Sequence, residues 1–209
     1  MSRTAAPDEV GALWLQTLQR AVGRASHDVK DALNGVSVNL EVIRSRAARP
    51  DAPASAVAQF GEAAAHQLER LTSLTEAVLA AARAEREPAD VGVTLRRVAT
   101  LCNASSSNAD AAIVLVDDLV GSALTGVHGD AVRLAITAPL LEVVVGADRS
   151  RRAAEVTCTI RGDDDAIRVV IAAPDRRAAM PGGVAEAVRG AGVRWTEGEH
   201  DLSLAFPRA

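Results

Sequence analysis

From about Glu9 to Ala48 the chain runs without a proline or a Gly-Gly pair to stop a helix. Through it the apolar residues Val22, Val29, Leu33, Val36, Leu40 and Ile43 recur at threes, fours and sevens. That spacing lines one helix face, and at 1.5 Å per residue it predicts a rod of roughly 60 Å. The segment Arg49-Pro-Asp-Ala-Pro53 ends the rod, since proline cannot continue a helix and restricts the residue before it. A second helix is expected from about Ala54 to Glu87, with Val57, Phe60, Ala64, Leu68, Leu71, Leu74 and Val78 on one stripe. Two long amphipathic helices joined by a tight turn make an antiparallel hairpin. Alone, it leaves much of its apolar stripe in water. A second copy is the least costly cover and gives a two-fold four-helix bundle. Packing on the rest of the chain is the alternative, but the stripe continues along nearly the whole rod, which favours the homodimer.

Residues 1–8 read as a disordered leader, residues 9–87 as the hairpin domain, and Pro88 with Asp90 as a linker. Beyond it, in residues 91–209, turn residues and β-branched runs enter. Val91–Asn103 reads as a short helix, and Asp130–Val145 and Gly183–Arg189 as two more. Pro139 should kink or restart the first of that pair. Strands are expected at Ala112–Val116, Leu124–Val127, Glu155–Ile160, Ile167–Ala172, Val193–Thr196 and Leu202–Phe206. The predicted fold class is therefore α plus α/β, a dimeric helical hairpin followed by a two-layer α/β sandwich.

Composition removes several function classes. With a formal charge of −4 and no basic block, a nucleic-acid footprint is not expected. Apolar runs such as Ala111–Val116 are far too short to cross a membrane, and the first residues lack the pattern of a secretory signal; a cytoplasmic protein is expected. Cys102 and Cys158 stand alone and read as small core residues. His66, His128 and His200 are scattered, so no metal site is predicted. Aromatic residues are 2% and tyrosine is absent, leaving Ala, Val and Leu to build closely packed cores.

The first helix also carries chemistry. His27, Lys30, Asp31 and Asn34 lie three and four apart and share a face. Position 27 is about half a turn from Val22 and Val29 at 100° per residue, so its imidazole should meet solvent. The same face continues through Val38, Glu41 and Ser45, with Val38 a candidate docking contact. The string His27-Asp28-Val-Lys30-Asp31-Ala32-Leu33-Asn34 resembles the phosphoacceptor box of sensor histidine kinases. In that box a His is followed by an acid, a basic residue, a small polar residue, a leucine and often an Asn. Ala32 replaces the family's usual Pro, and Asp31 its usual Thr or Asn.

The order of elements after the hairpin resembles the family's ATP-binding domain. Gly129-Asp130-Ala131-Val132-Arg133-Leu134 is similar to the entry of the helix that carries the family's Mg²⁺-holding Asn residues. At the matching places stand Leu140 and Val144, neither of which offers oxygen to a hard cation. The family's Asp-x-Gly-x-Gly turn is reduced to Asp175 with no glycine within two residues, and its Gly-rich lid to Met180-Pro-Gly-Gly183. The resemblance therefore implies a degenerate ATP domain, no bound cofactor and no ATP-dependent kinase activity.

A phosphoacceptor without a nucleotide site resembles the histidine phosphotransferases built like dimeric kinases, of the ChpT and sporulation phosphotransferase B type. The resemblance implies a phosphorelay in which His27 takes the phosphoryl group from one response-regulator receiver domain and gives it to another, with Mg²⁺ supplied by the receiver. Beside such a nucleophile Asp28 is the acid placed to hydrogen-bond the imidazole, Lys30 one turn along offsets phosphoryl charge, and the exposed stripe through Asn34, Val38 and Glu41 is the expected receiver contact; the resemblance adds that Asp31, where hydrolysing family members carry Thr, Asn or Gln, argues against a strong phosphatase. The alternatives are a pseudokinase scaffold that binds receivers or kinases without reacting, and an active kinase with an unusual pocket.

Overall fold

Alternating burial along three central strands shows how the second half of the chain is built. Val156, Cys158 and Ile160, then Ile167, Val169 and Ile171, then Leu202, Leu204 and Phe206 are all buried, and the residues between them are more exposed. This is the period of two expected of a sheet with one covered face. The structure is a computed structural model that describes residues 7–49, 53, 55–83, 87–104, 112–145 and 155–209.

Its elements are α1 (Pro7–Ala47), α2 (Ser55–Ala82), β1 (Ala89–Asp90), α3 (Val91–Ala104), β2 (Ala112–Asp117), β3 (Leu124–Thr125), α4 (Gly129–Val145), β4 (Glu155–Gly162), β5 (Ala166–Ala172), α5 (Gly182–Gly190), β6 (Arg194–Glu197) and β7 (Asp201–Pro207). A five-stranded sheet has the order β2-β4-β5-β7-β6. Its β2–β4 pair is parallel and the other pairs are antiparallel. Buried residues of α3, α4 and α5 join the inward strand residues in one apolar core. The class is a helical hairpin followed by a mixed α/β layer.

Several boundaries differ from expectation. Pro7 already belongs to α1, at a position where its missing N–H costs nothing, so the helix takes in residues 7 and 8; the rest of the expected leader, residues 1–6, lies outside the described part. So does most of the expected turn, at 50–52 and 54. The second helix stops at Ala82, short of Glu87, where Pro88 disfavours helix in the residue before it. The expected linker is structured: Ala89 and Asp90 pair with Thr125 and Leu124. Asp90 also caps α3, its Oδ1 accepting from the backbone N–H of Val93 at 2.9 Å. Helix α4 does not restart at Pro139 but runs through it as one helix. Residues 131–141 are all buried, and their packing outweighs the ~3 kcal/mol that an interior proline costs.

The hairpin is not free of the α/β layer. Val10, Trp14, Thr17 and Ala21 of α1 are buried, as are Ala77 and Ala81 of α2. The guanidinium of the buried Arg133 on α4 sits 5.0 Å from the Trp14 ring. Its Nη1 donates to the Arg83 carbonyl at 2.9 Å, and it ion-pairs with Asp130. At the surface, Arg20 bridges Glu142 at 3.0 Å. Packing on the second half of the chain, the alternative to a partner copy, is thus realised at the end of the hairpin near the chain's entry. It leaves another face open. Leu15, Leu33 and Leu40 of α1 and Leu68 and Leu79 of α2 remain exposed, and Val22 and Val29 lie half-buried along the same α1 stripe.

Candidate functional site

His27 stands at the midpoint of the 41-residue α1, about 30 Å from either end. Its side chain is exposed, together with those of Lys30, Asp31 and Asn34. The polar patch read from the spacing therefore exists on one face. It continues through Val38, 63% exposed, and Glu41, which bridges Arg44 on its own helix at 3.0 Å. Ala32, one turn along from Asp28, is buried. A small residue there fits the helix into its neighbour.

Asp28 is placed differently from its neighbour. One residue along a helix turns about 100°, and this carries the Asp28 carboxyl toward α2. Its Oδ1 lies 3.6 Å from Nη2 of Arg70, the two side chains being 15% and 32% exposed. At that separation the contact is an ion pair rather than a direct hydrogen bond. Arg70 is the site residue that sequence reasoning missed. On its other side it shares an open cleft of about 320 Å³ with His66, Glu69 and Ser73 of α2 and Asn103 and Ala104 at the end of α3. Asn103 also fixes that end of α3: its amide donates to the Ile113 carbonyl and its side-chain oxygen accepts from the Ile113 N–H, both at 2.8 Å.

The remaining candidates separate from this site. His128 Nε2 is 3.4 Å from Glu87 Oε1, and His200 Nε2 is 3.7 Å from Glu199 Oε1, both in the α/β layer. Burial pushes the thiols of Cys102 and Cys158 up to about 12, so neither offers a thiolate near neutral pH. Among the described residues no group of three His, Cys, Asp or Glu could hold a metal ion, and no helix is long and apolar enough to cross a membrane.

On α4, Arg133, Thr137, Leu140 and Val144 recur at threes and fours along one face, which meets α1 at Trp14. Leu140 and Val144 are fully or almost fully buried. Asp175 is exposed beyond β5. Helix α5 begins at Gly182 with Pro181 before it, and no side chain caps it.

No family model matches the chain, and no curated protein matches it in sequence. Solved structures do. A blue-light-activated histidine kinase of Erythrobacter litoralis matches at 16% identity and a TM-score of 0.43, over 91% of this chain and 59% of the other. The chain thus spans less than two thirds of that protein. A structure titled as a bacterial phosphotransferase matches at 15% identity and a TM-score of 0.41, covering 98% of both chains. The histidine kinase AdeS of Acinetobacter baumannii matches at 13% identity and a TM-score of 0.33, over 87% of this chain and 97% of the other. These superpositions are loose, with TM-scores all below 0.5.

Proposed function

We propose that this chain is a homodimeric histidine phosphotransferase that relays a phosphoryl group between receiver domains through His27. The observation that carries the reading is the exposed imidazole at the middle of a long helix, beside a carboxylate and on the same face as Lys30. A neutral imidazole is a competent nucleophile near pH 7, since its ordinary pKa is about 6.5. One ring nitrogen attacks the phosphorus of an aspartyl phosphate on the donor receiver. The N–P bond forms as the P–O bond to the aspartate breaks, returning a free carboxylate. The phospho-His then reverses the step onto the aspartate of an acceptor.

Mg²⁺ is brought by the receiver's acidic pocket. Lys30 offsets charge on the phosphoryl group, and Asp31 opposes its approach modestly without orienting water for hydrolysis. Asn34, Val38 and Glu41 extend the contact along α1. The open stripe of Leu15, Leu33, Leu40, Leu68 and Leu79 forms the dimer contact. This plan is that of the ChpT and sporulation phosphotransferase B type. Incubation with phosphorylated candidate receivers tests it, label on His27 being the expected result.

ATP plays no part in this reading. The places that resemble Mg²⁺-holding positions carry Leu140 and Val144, whose side chains are packed into the core and supply no oxygen. Titration calorimetry with Mg·ATP is expected to give no measurable heat of binding, and incubation with ATP no autophosphorylation. Micromolar affinity would restore the kinase reading.

One observation favours a second reading, a scaffold that binds receivers without reacting. The carboxylate beside His27 is engaged by Arg70 rather than reserved for the imidazole. Absence of label from every receiver of the same cell would select it.

A further inference from the structure

We propose that a receiver seated on His27 also places a polar loop in the cleft between α2 and the end of α3, so that the α/β layer helps to select the receiver. The contact rests on the relay reading for its partner, and goes beyond it in placing the α/β layer in the docking surface. Two observations bring the end of α3 to the reactive helix. Asp28, next to His27, lies 3.6 Å from Arg70, and Arg70 lines the cleft together with Asn103 and Ala104 of α3. Arg24, three residues before His27, acts electrostatically on the thiol of Cys102, the residue before Asn103. The last turn of α3 therefore stands beside the helix that carries His27, on its α2 side.

Size and chemistry point the same way. A specific protein contact of standard size buries about 800 Å² on each partner, from about 20–30 residues. The exposed stripe of α1 from His27 to Glu41 supplies six, so the contact has to spread onto a neighbouring surface. One flank of the stripe is given to the partner copy through Leu33 and Leu40. The other flank, reached through Asp28, is α2 with the cleft. The rim of the cleft is polar: His66, Glu69 and Ser73 are exposed, and none of them bonds to another described residue. Its floor is fixed, because Asn103 holds Ile113 through two hydrogen bonds of 2.8 Å. Of the residues that line it, Ala104 alone is apolar, so a lipid tail or an apolar helix finds little to bury there. Free donors and acceptors over a rigid floor suit a polar loop of a folded domain.

Purified receivers of the same cell test it on the full chain, phosphorylated for transfer kinetics and unphosphorylated for binding. Ser73→Arg and Glu69→Arg each fill the cleft from an exposed position, so the melting temperature should stay close to that of the wild type. Both are expected to raise the KM for the phosphorylated receiver about tenfold while kcat stays within about twofold, the signature of lost binding with the nucleophile intact. Glu155→Arg, the same charge change on the open face of the sheet, should alter neither. A receiver whose KM and dissociation constant are equal for the wild type and both cleft variants overturns the proposal and leaves the relay standing. So does a fall in kcat at unchanged KM, which marks a disturbed His27 and not a lost contact. A receiver that binds without labelling His27, and that both variants weaken, ends the relay and keeps the cleft as a docking surface. Receivers that neither label nor bind the wild type overturn both.

Discussion

His27→Gln is expected to abolish phosphoryl labelling in an assay with a radiolabelled, phosphorylated receiver, while the circular dichroism spectrum and the oligomeric state stay as in the wild type. The side chain is exposed on the outer face of α1, where a substitution of similar size costs within about 0.5 kcal/mol of stability. Loss of label would therefore report loss of the nucleophile and not of the fold. Replacement of His66, His128 or His200 by Gln should leave the label in place. The latter two sit in the α/β layer against Glu87 and Glu199, and His66 lies on α2 without the acid-and-lysine pattern. Asp28→Ala should slow transfer by about 10–100-fold, the scale of losing orientation and charge stabilisation with the nucleophile retained. Equal labelling of His27→Gln and wild type would end the relay hypothesis.

Leu40→Asp is expected to convert the proposed dimer to monomers, raising its dissociation constant by more than about 100-fold. The reason is a contrast between two environments. In the protomer the Leu40 side chain is 54% exposed, so an Asp there is solvated and leaves the monomer close to its original stability. Across a two-fold contact the same change places two unpaired charges in an apolar seam, at several kcal/mol. Sedimentation velocity at micromolar concentration distinguishes the outcomes, with thermal melting of the separated protomer as the check on folding. A wild-type protein that sediments as a monomer removes the dimer, and a Leu40→Asp variant that remains dimeric moves the interface elsewhere.

Much of this structure is legible in the sequence because it follows from local periodicity. The long first helix, the three helices of the second half and all six predicted strands are set by spacing and by turn residues. His27 could be assigned to solvent from its angle to Val22 and Val29 alone. What escaped depends on contacts between distant segments. The two-residue β1 is too short to show a period and exists by pairing with β3. Helix α4 passes Pro139 because neighbours surround it on every side. Arg70 meets Asp28 through the register of two neighbouring helices, which no local pattern reports. The burial of Trp14 against Arg133 is of the same kind: a tryptophan early in a helix gives no sign of which layer it will enter.

That last contact bears on how the molecule comes apart. Val10 and Ala21 of α1, and Ala77 and Ala81 of α2, belong to the same apolar cluster as the sheet residues Ile171 and Phe206. The hairpin and the α/β layer are therefore one cooperative unit, not beads on a linker. Calorimetry should record a single unfolding endotherm, and residues 91–209 expressed alone should lack native protection against hydrogen exchange in α4, whose Arg133 would have lost both the Trp14 ring and the Arg83 carbonyl.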